Sequence, residues 1–381
     1  MTTRSETARY RLRQARDALQ ASEFDALLLC GGANLNFLSG FPYADVNLAR
    51  PYFLVVSERD LTLLVHTGRL YEAERLSWVD DTRCYRRLSV APIDELRRVL
   101  RDHGLTRGHL GMELGYEQRL GIPVAEVDRL RAELAPLTIG DAAALLWQLR
   151  IAKAPWDVAA IRTACDITAA AYAATLRGIS PGQREIDVLV AMEETMRLGG
   201  GATPWVKITS GTGNYDVVLG PGTERILEPG DMVWMDGGCA VEGMWSDFGR
   251  AAVIGGPSPE QLDMQRAIRE IGELGVSMVA PGVPVSQIAA AVNQQVDAIS
   301  APVTSAVSTI AGRIGHGIGC DVTEPPHISE EDPAILAPGM IIAIEPGVAT
   351  AYGLFHIEEN VLVTEDGCEV LSRAPWELIT V

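Results

Sequence analysis

Two segments of this chain repeat one another, and that repeat limits what the chain can fold into more than any other feature. Ile226–Asp247 opens I-L-E-P-G-D-M-V-W-M-D-G-G, and Ile335–Glu358 opens I-L-A-P-G-M-I-I-A-I-E-P-G. At an offset of 109 residues, Ile226 falls on Ile335, Leu227 on Leu336, Pro229 on Pro338, Gly230 on Gly339 and Gly238 on Gly347. The acid that ends each apolar run also matches, Asp236 on Glu345, and each segment carries a second acid further on, Asp247 and Glu358. The unit reads as a Pro-Gly turn, an apolar strand ending in a carboxylate, a short return and a second strand with another carboxylate. A unit that occurs twice predicts a pseudo-twofold domain, not a linear run of unrelated elements.

The acids set the chemistry. Asp236 and Glu345 each close an apolar run, so both point inward or into a cleft. A buried carboxylate costs several kcal/mol unless a cation answers it, and four that converge raise one another's pKa. Divalent metal resolves the conflict. His316, in G-H-G-I-G, lies between the two hairpins. Four carboxylates and one imidazole are too rich in oxygen for a structural zinc site. They suit Mn²⁺, Fe²⁺, Co²⁺ or Zn²⁺ in a paired catalytic site, with Mn²⁺ the first expectation. Such a site activates water for hydrolysis.

The rest of the chain frames this centre. An α/β fold of two domains is expected: residues 1–148 as a small α/β domain and 149–381 as the domain that holds the repeat. Apolar spacing predicts a helix over 5–22. The run Ala26–Cys30 reads as a buried strand turned at Gly31-Gly32, with Leu35–Leu38 continuing it. Tyr52–Val56 and Leu61–Val65 read as a hairpin, and helices are expected near 69–78, 92–103 and 123–134, with a strand at His109–Glu113. Pro155 sits where it opens a helix. Further helices are expected near 183–198, 259–278 and 285–299. Strands are expected at Trp205–Ser210, Met232–Met235 and Ser246–Val253. Gly31-Gly32 is not a G-x-G-x-x-G loop, so no nucleotide site is read there.

Composition excludes some partners. A net charge of −18 argues against nucleic acid and anionic membrane surfaces. No run reaches the roughly 18 apolar residues of a membrane span, and the charged start has no apolar leader. Six cysteines without C-x-x-C spacing predict reduced thiols and a cytoplasmic protein.

The second half resembles the pita-bread metallopeptidase family that includes Xaa-Pro dipeptidase (prolidase), aminopeptidase P, methionine aminopeptidase and creatinase. D-G-G (236–238), S-D-F-G-R (246–250), G-H-G-I-G (315–319), E-P-G (345–347) and I-E-E-N-V-L-V-T (357–364) carry the resemblance, and the linker L-R-I-A-K-A-P-W-D (149–157) is similar to the prolidase/creatinase branch. It implies two metal ions held by Asp236, Asp247, His316, Glu345 and Glu358. Asp247 and Glu358 would bridge the ions, and Glu345 would also accept the proton of the attacking water. It implies a homodimer acting on short peptides or small molecules.

Two positions depart from that family. Leu219 and Thr323 stand where the proline peptidases carry histidines that meet the reacting carbonyl, and His356 stands where an arginine often precedes I-E. His356 or Tyr215 would supply a replacement donor, and His327, in P-P-H-I-S, is a candidate for the substrate pocket. The departures keep an alternative open: a small amidine, lactam or other non-peptide amide as substrate, or a lyase reaction. A catalytically silent binding module of the same fold is a third reading.

Overall fold

A computed structural model describes residues 4–42, 49–218 and 220–381. Leu219, one of the two departures from the family pattern, lies outside the described residues. The chain forms two compact units, Met1–Arg150 and Ile151–Val381.

The first unit is a six-stranded mixed sheet. Its strands are β1 (Ala26–Leu29), β2 (Phe53–Ser57), β3 (Leu61–His66), β4 (Asp81–Tyr85), β5 (Gly108–Met112) and β6 (Leu137–Asp141), in the order β4-β3-β2-β1-β5-β6. β2 pairs antiparallel with β1 and β3, while β1–β5, β5–β6 and β3–β4 are parallel. β1 is buried along its whole length, as a continuous apolar strand inside a sheet should be. Helices Ile93–Asp102 and Val124–Glu133 pack Leu96, Val99, Val127 and Leu130 onto this sheet's core.

One sequence expectation is corrected here. Leu35–Leu38 does not continue the first strand; it belongs to a helix, Gly32–Ser39. The buried Glu113 carboxyl accepts from Cys30 N at 2.9 Å and Gly31 N at 3.0 Å, so acceptor oxygens meet the N–H groups at the helix start. Gly40, in the left-handed region, ends it.

The second unit shows the repeat in three dimensions. Helices Pro155–Arg177 and Glu185–Leu198 precede β7 (Ala202–Ser210), β8 (Met232–Val241), β9 (Met244–Trp245) and β10 (Phe248–Val253). Helices Pro259–Ser277 and Val285–Asp297 precede β11 (Ser305–Ala306), β12 (His316–Gly317), β13 (Glu324–His327), β14 (Ile341–Ile344), β15 (Gly347–Thr350), β16 (Gly353–His356), β17 (Glu359–Val363), β18 (Cys368–Val370) and β19 (Ile379–Thr380). Three sheets result: β19-β10-β8-β7, with β9 on β8; β11-β15-β16; and β13-β12-β14-β17-β18.

Matched hydrogen bonds place the two Pro-Gly turns equivalently. Gly182 N donates to Leu227 O at 2.8 Å, and Gly282 N donates to Leu336 O at 2.8 Å. Leu227 N reaches Gln183 O at 2.8 Å, and Leu336 N reaches Val283 O at 2.9 Å. Helix starts obey local rules. Pro259 follows Ser258, whose hydroxyl accepts from Gln261 N at 3.2 Å while Gln261 Oε1 accepts from Ser258 N at 2.8 Å. Pro155 opens its helix as the sequence predicts.

The halves differ at the strand that carries the first acid. β8 runs unbroken through Asp236, six residues beyond the expected end at Met235. Its counterpart is split into β14 and β15 at Glu345-Pro346, because proline has no N–H to give the ladder. A shared core that includes Trp234, Ile268, Ile288, Ile342, Phe355 and Val361 lies between sheets and helices. Among the described residues, no helix is long and apolar enough to cross a membrane.

Candidate metal centre

Each acid of the repeat is set by a strand or by a strand end. Asp236 sits within β8, opposite Gly249 of β10 and Lys207 of β7. Asp247 precedes β10. Its backbone is clamped by Asn360, whose Oδ1 accepts from Asp247 N at 3.0 Å and whose Nδ2 donates to Asp247 O. Glu358 joins β16 to β17 and is fixed by Arg250 Nη1, which donates to its carbonyl at 2.9 Å. Tyr172, from the helix Pro155–Arg177, donates its hydroxyl to Phe248 O at 2.6 Å and Met235 O at 3.1 Å, bracing β8 against β10. Gly238 is required by contact: a Cβ there would lie 1.8 Å from Ser246 O.

The side chains converge. His316 Nε2 lies 3.6 Å from Asp247 Oδ2, 3.6 Å from Glu345 Oε1 and 4.0 Å from Glu358 Oε1. His316 Nδ1 is 2.9 Å from Gly317 O, so the proton sits on Nδ1 and the Nε2 lone pair faces the acids. His356 Nε2 lies 3.3 Å from Glu345 Oε2. Glu359 turns the other way, as strand alternation requires, and meets Arg250 Nη2 at 2.7 Å. The acid facing the cluster is therefore Glu358.

The electrostatics of this group are unbalanced. Asp236 Oδ1, Asp247 Oδ1 and both Glu358 oxygens are buried with no hydrogen-bond partner among the described residues. Burial first, and then repulsion from the neighbouring acids, pushes Asp247 and Glu358 well above the ordinary carboxylate range. Asp236 is raised, again chiefly by burial. Glu345 goes the other way. Burial works to raise it, but the His356 hydrogen bond and the charges of His316, His356 and Arg313 bring it below its usual value. Burial lowers His316 and so favours the neutral imidazole a metal needs. Orphaned carboxylate oxygens around a neutral imidazole fit a divalent cation, since among the described residues no hydrogen bond compensates them.

The candidate residues do not all gather here. His327 does: it lies opposite His316 in the β12–β13 pair, and Arg313 Nη1 is 2.8 Å from its Nδ1. Thr323 Oγ1 is 3.5 Å from Arg313 Nη2. Tyr215 is elsewhere. It is buried in the apolar core, and its hydroxyl accepts from Met232 N at 3.0 Å. Met232 stands four residues before Asp236 in β8, about 13 Å along a strand.

Sequence reading passed over Arg313 and Asn360. Arg313 Nε comes within 3.9 Å of Glu345 Oε1. Its signal was available, three residues before His316. Asn360 was in plain view within I-E-E-N, but nothing in its spacing says that it holds Asp247.

A buried cage of acids and imidazole, built on a twofold-repeated unit of helices and strands, defines a metal-dependent hydrolase of the pita-bread type. Residues 159–365 match the model of metallopeptidase family M24, and residues 11–152 match that of the creatinase/prolidase N-terminal domain. The chain belongs to metallopeptidase family M24 and is a metal-dependent peptidase. It is similar to the Xaa-Pro dipeptidase of Pyrococcus horikoshii, with 24% identity over 95% of this chain and 96% of that protein. The structure of dipeptidase PepE from Mycobacterium ulcerans is 26% identical with a TM-score of 0.81, covering 100% of both chains. That of X-Pro aminopeptidase from Thermotoga maritima has a TM-score of 0.83 at 20% identity, over 97% of this chain and 99% of that one; at that identity the likeness speaks for the fold.

Proposed function

We propose that the protein cleaves short peptides at Xaa-Pro bonds, with two divalent ions held by Asp236, Asp247, His316, Glu345 and Glu358. The observation that carries this is the set of buried, partnerless oxygens on Asp236, Asp247 and Glu358 around His316. The names of the similar proteins supply the bond: Xaa-Pro dipeptidase and X-Pro aminopeptidase. Asp247 and Glu358, both deep in the cluster, would hold both ions, as the family resemblance implies.

Bound divalent ions supply Lewis acidity there, lowering the pKa of a water and polarising a carbonyl. The chain's own residues do the rest. Glu345, held below its usual value by the His356 hydrogen bond, is the base that takes a proton on a carboxylate oxygen. His316 holds its lone pair inward through the Gly317 bond. Arg313, within 3.9 Å of Glu345 and 2.8 Å from His327, would orient the peptide together with that imidazole. Mn²⁺ is the first candidate ion for a five-ligand set of this composition. Six free thiols support a reducing, cytoplasmic setting, and the family resemblance supports a homodimer, which light scattering checks.

Elemental analysis of the purified protein, with turnover of Xaa-Pro dipeptides before and after chelation, tests the reading. Asp247→Ala and Glu358→Ala are expected to lose metal and activity together. Full activity in the stripped protein, or turnover of small cyclic amides without turnover of Xaa-Pro peptides, would overturn it.

A further inference from the structure

Five of the acids and imidazoles of the centre, Asp236 aside, fall into two overlapping groups. Ligand atoms of Asp247, His316 and Glu358 lie within 4.8 Å of one another, and so do those of Glu345, His356 and Glu358. The groups share Glu358, and each holds one imidazole. His356 is the residue that the sequence offers as a donor to the reacting carbonyl, yet its surroundings are those of a ligand. Its side chain is 2% exposed, and Nε2 is 3.3 Å from Glu345 Oε2. Both Glu358 oxygens are partnerless.

The ring's place is built for it. It stands edge-on to Trp234, with centroids 5.4 Å apart. Glycines face it on both sides: a Cβ on Gly249 would come within 3.0 Å of His356 Nδ1, and one on Gly347 within 2.9 Å of its Cβ. Glycine at both positions leaves the imidazole its place.

We propose that His356 is a sixth protein ligand, its Nε2 joining Glu345 and Glu358 around the second ion, so that each ion of the pair has one imidazole. The inference rests on the two-ion reading above and deepens it. Nitrogen at both positions moves the preference along the divalent series, away from Mn²⁺ and towards Fe²⁺, Co²⁺ or Zn²⁺.

The test uses the full-length protein loaded with Co²⁺. Proton NMR of the cobalt form in H₂O and D₂O resolves the strongly shifted, exchangeable N–H of each imidazole bound to the paramagnetic ion, and a histidine that only hydrogen-bonds a ligand gives no such contact shift. Two such resonances are expected in the wild type and one in His356→Gln. Mass spectrometry under native conditions is expected to show two ions per chain falling to one in the variant at the same free Co²⁺. Loss of a hydrogen bond to a ligand also weakens a site, by about 10- to 100-fold, so the resonance count is what separates the two roles. It is read on the wild type even if the variant fails to fold. One shifted N–H in a wild type that binds two ions, or a variant that keeps both ions at unchanged affinity, overturns the proposal. A wild type that binds no ion overturns the two-ion reading itself, and this inference with it.

Discussion

Replacing Lys153 with methionine should destabilise the second unit severely, although the residue touches none of the proposed ligands. Lys153 Nζ lies 3.2 Å from Glu324 Oε2, with the two side chains 3% and 1% exposed. Nζ also donates to Ile151 O at 3.2 Å, and Glu324 Oε1 accepts from Asp321 N at 3.0 Å. The pair is tightly enclosed, since a Cβ on Gly319 would meet Glu324 Oε2 at 2.6 Å and Lys153 Cε at 2.8 Å. Removing Lys153 takes this buried cation from the Glu324 carboxylate, and breaking a buried pair costs about 3–5 kcal/mol. For a unit of this size 1 kcal/mol corresponds to roughly 2–4 °C in Tm, so a fall of roughly 6–20 °C is expected. Lys153→Met with Glu324→Gln removes both charges and should recover most of that loss. Thermal melts followed by circular dichroism, at low and high salt, measure it. The loss should persist at high salt, because a pair so deeply buried is little screened. Glu324 opens the strand that ends at His327 and follows Thr323, so the single variant should also raise KM. A single variant within about 2 °C of wild type, or a double variant no more stable than the single one, would refute the reasoning.

Other expectations concern the centre and its supports. Asn360→Ala removes the clamp on the Asp247 backbone and should cost about 1–3 kcal/mol, together with a weaker metal affinity by titration; unchanged affinity argues against the clamp. Tyr215→Phe should leave kcat and KM unchanged while lowering stability by about 1 kcal/mol, because its hydroxyl serves Met232 N in the core; a large fall in kcat would return Tyr215 to the site. Asp247 and Glu358 are raised by burial and mutual repulsion, so the folded metal-free protein holds protons that the unfolded chain has already released. Their contribution favours folding most below about pH 4 and falls as pH rises through the elevated values. Metal binding within the range of those elevated values should therefore expel protons, which calorimetry in two buffers of different ionisation enthalpy detects; zero release at every pH refutes the raised pKa values.

The parts of this molecule legible in the sequence are those written in short-range pattern. Apolar runs ended by acids place Asp236 and Glu345, and the Pro-Gly turns place the hairpins, because strand period and turn chemistry act over a few residues. Leu35–Leu38 was misread because apolar content alone does not separate a buried strand from a short buried helix. The decision came from Glu113, some eighty residues away, at the helix start. β4 escaped notice because Asp-Thr-Arg-Cys-Tyr is a half-exposed edge strand without apolar alternation. Arg313 and Asn360 look like ordinary polar residues until folding sets one beside Glu345 and the other around the Asp247 backbone. Tyr215 shows the opposite error, a residue near the motifs in sequence but held away from them by the length of β8.

The break at Pro346 gives the cage two unlike walls. Asp236 belongs to one continuous sheet, laced on both sides, so it cannot shift without shearing β7 and β10. Glu345 occupies a seam where the chain leaves the sheet of β12, β14 and β17 and enters that of β11, β15 and β16. Glu345 and His356 are thereby carried by the junction of two sheets, and Asp236 by the middle of one. The repeat thus supplies matching carboxylates on unequal mountings, one inside a sheet and one at a seam between two, and a lone proline makes the difference.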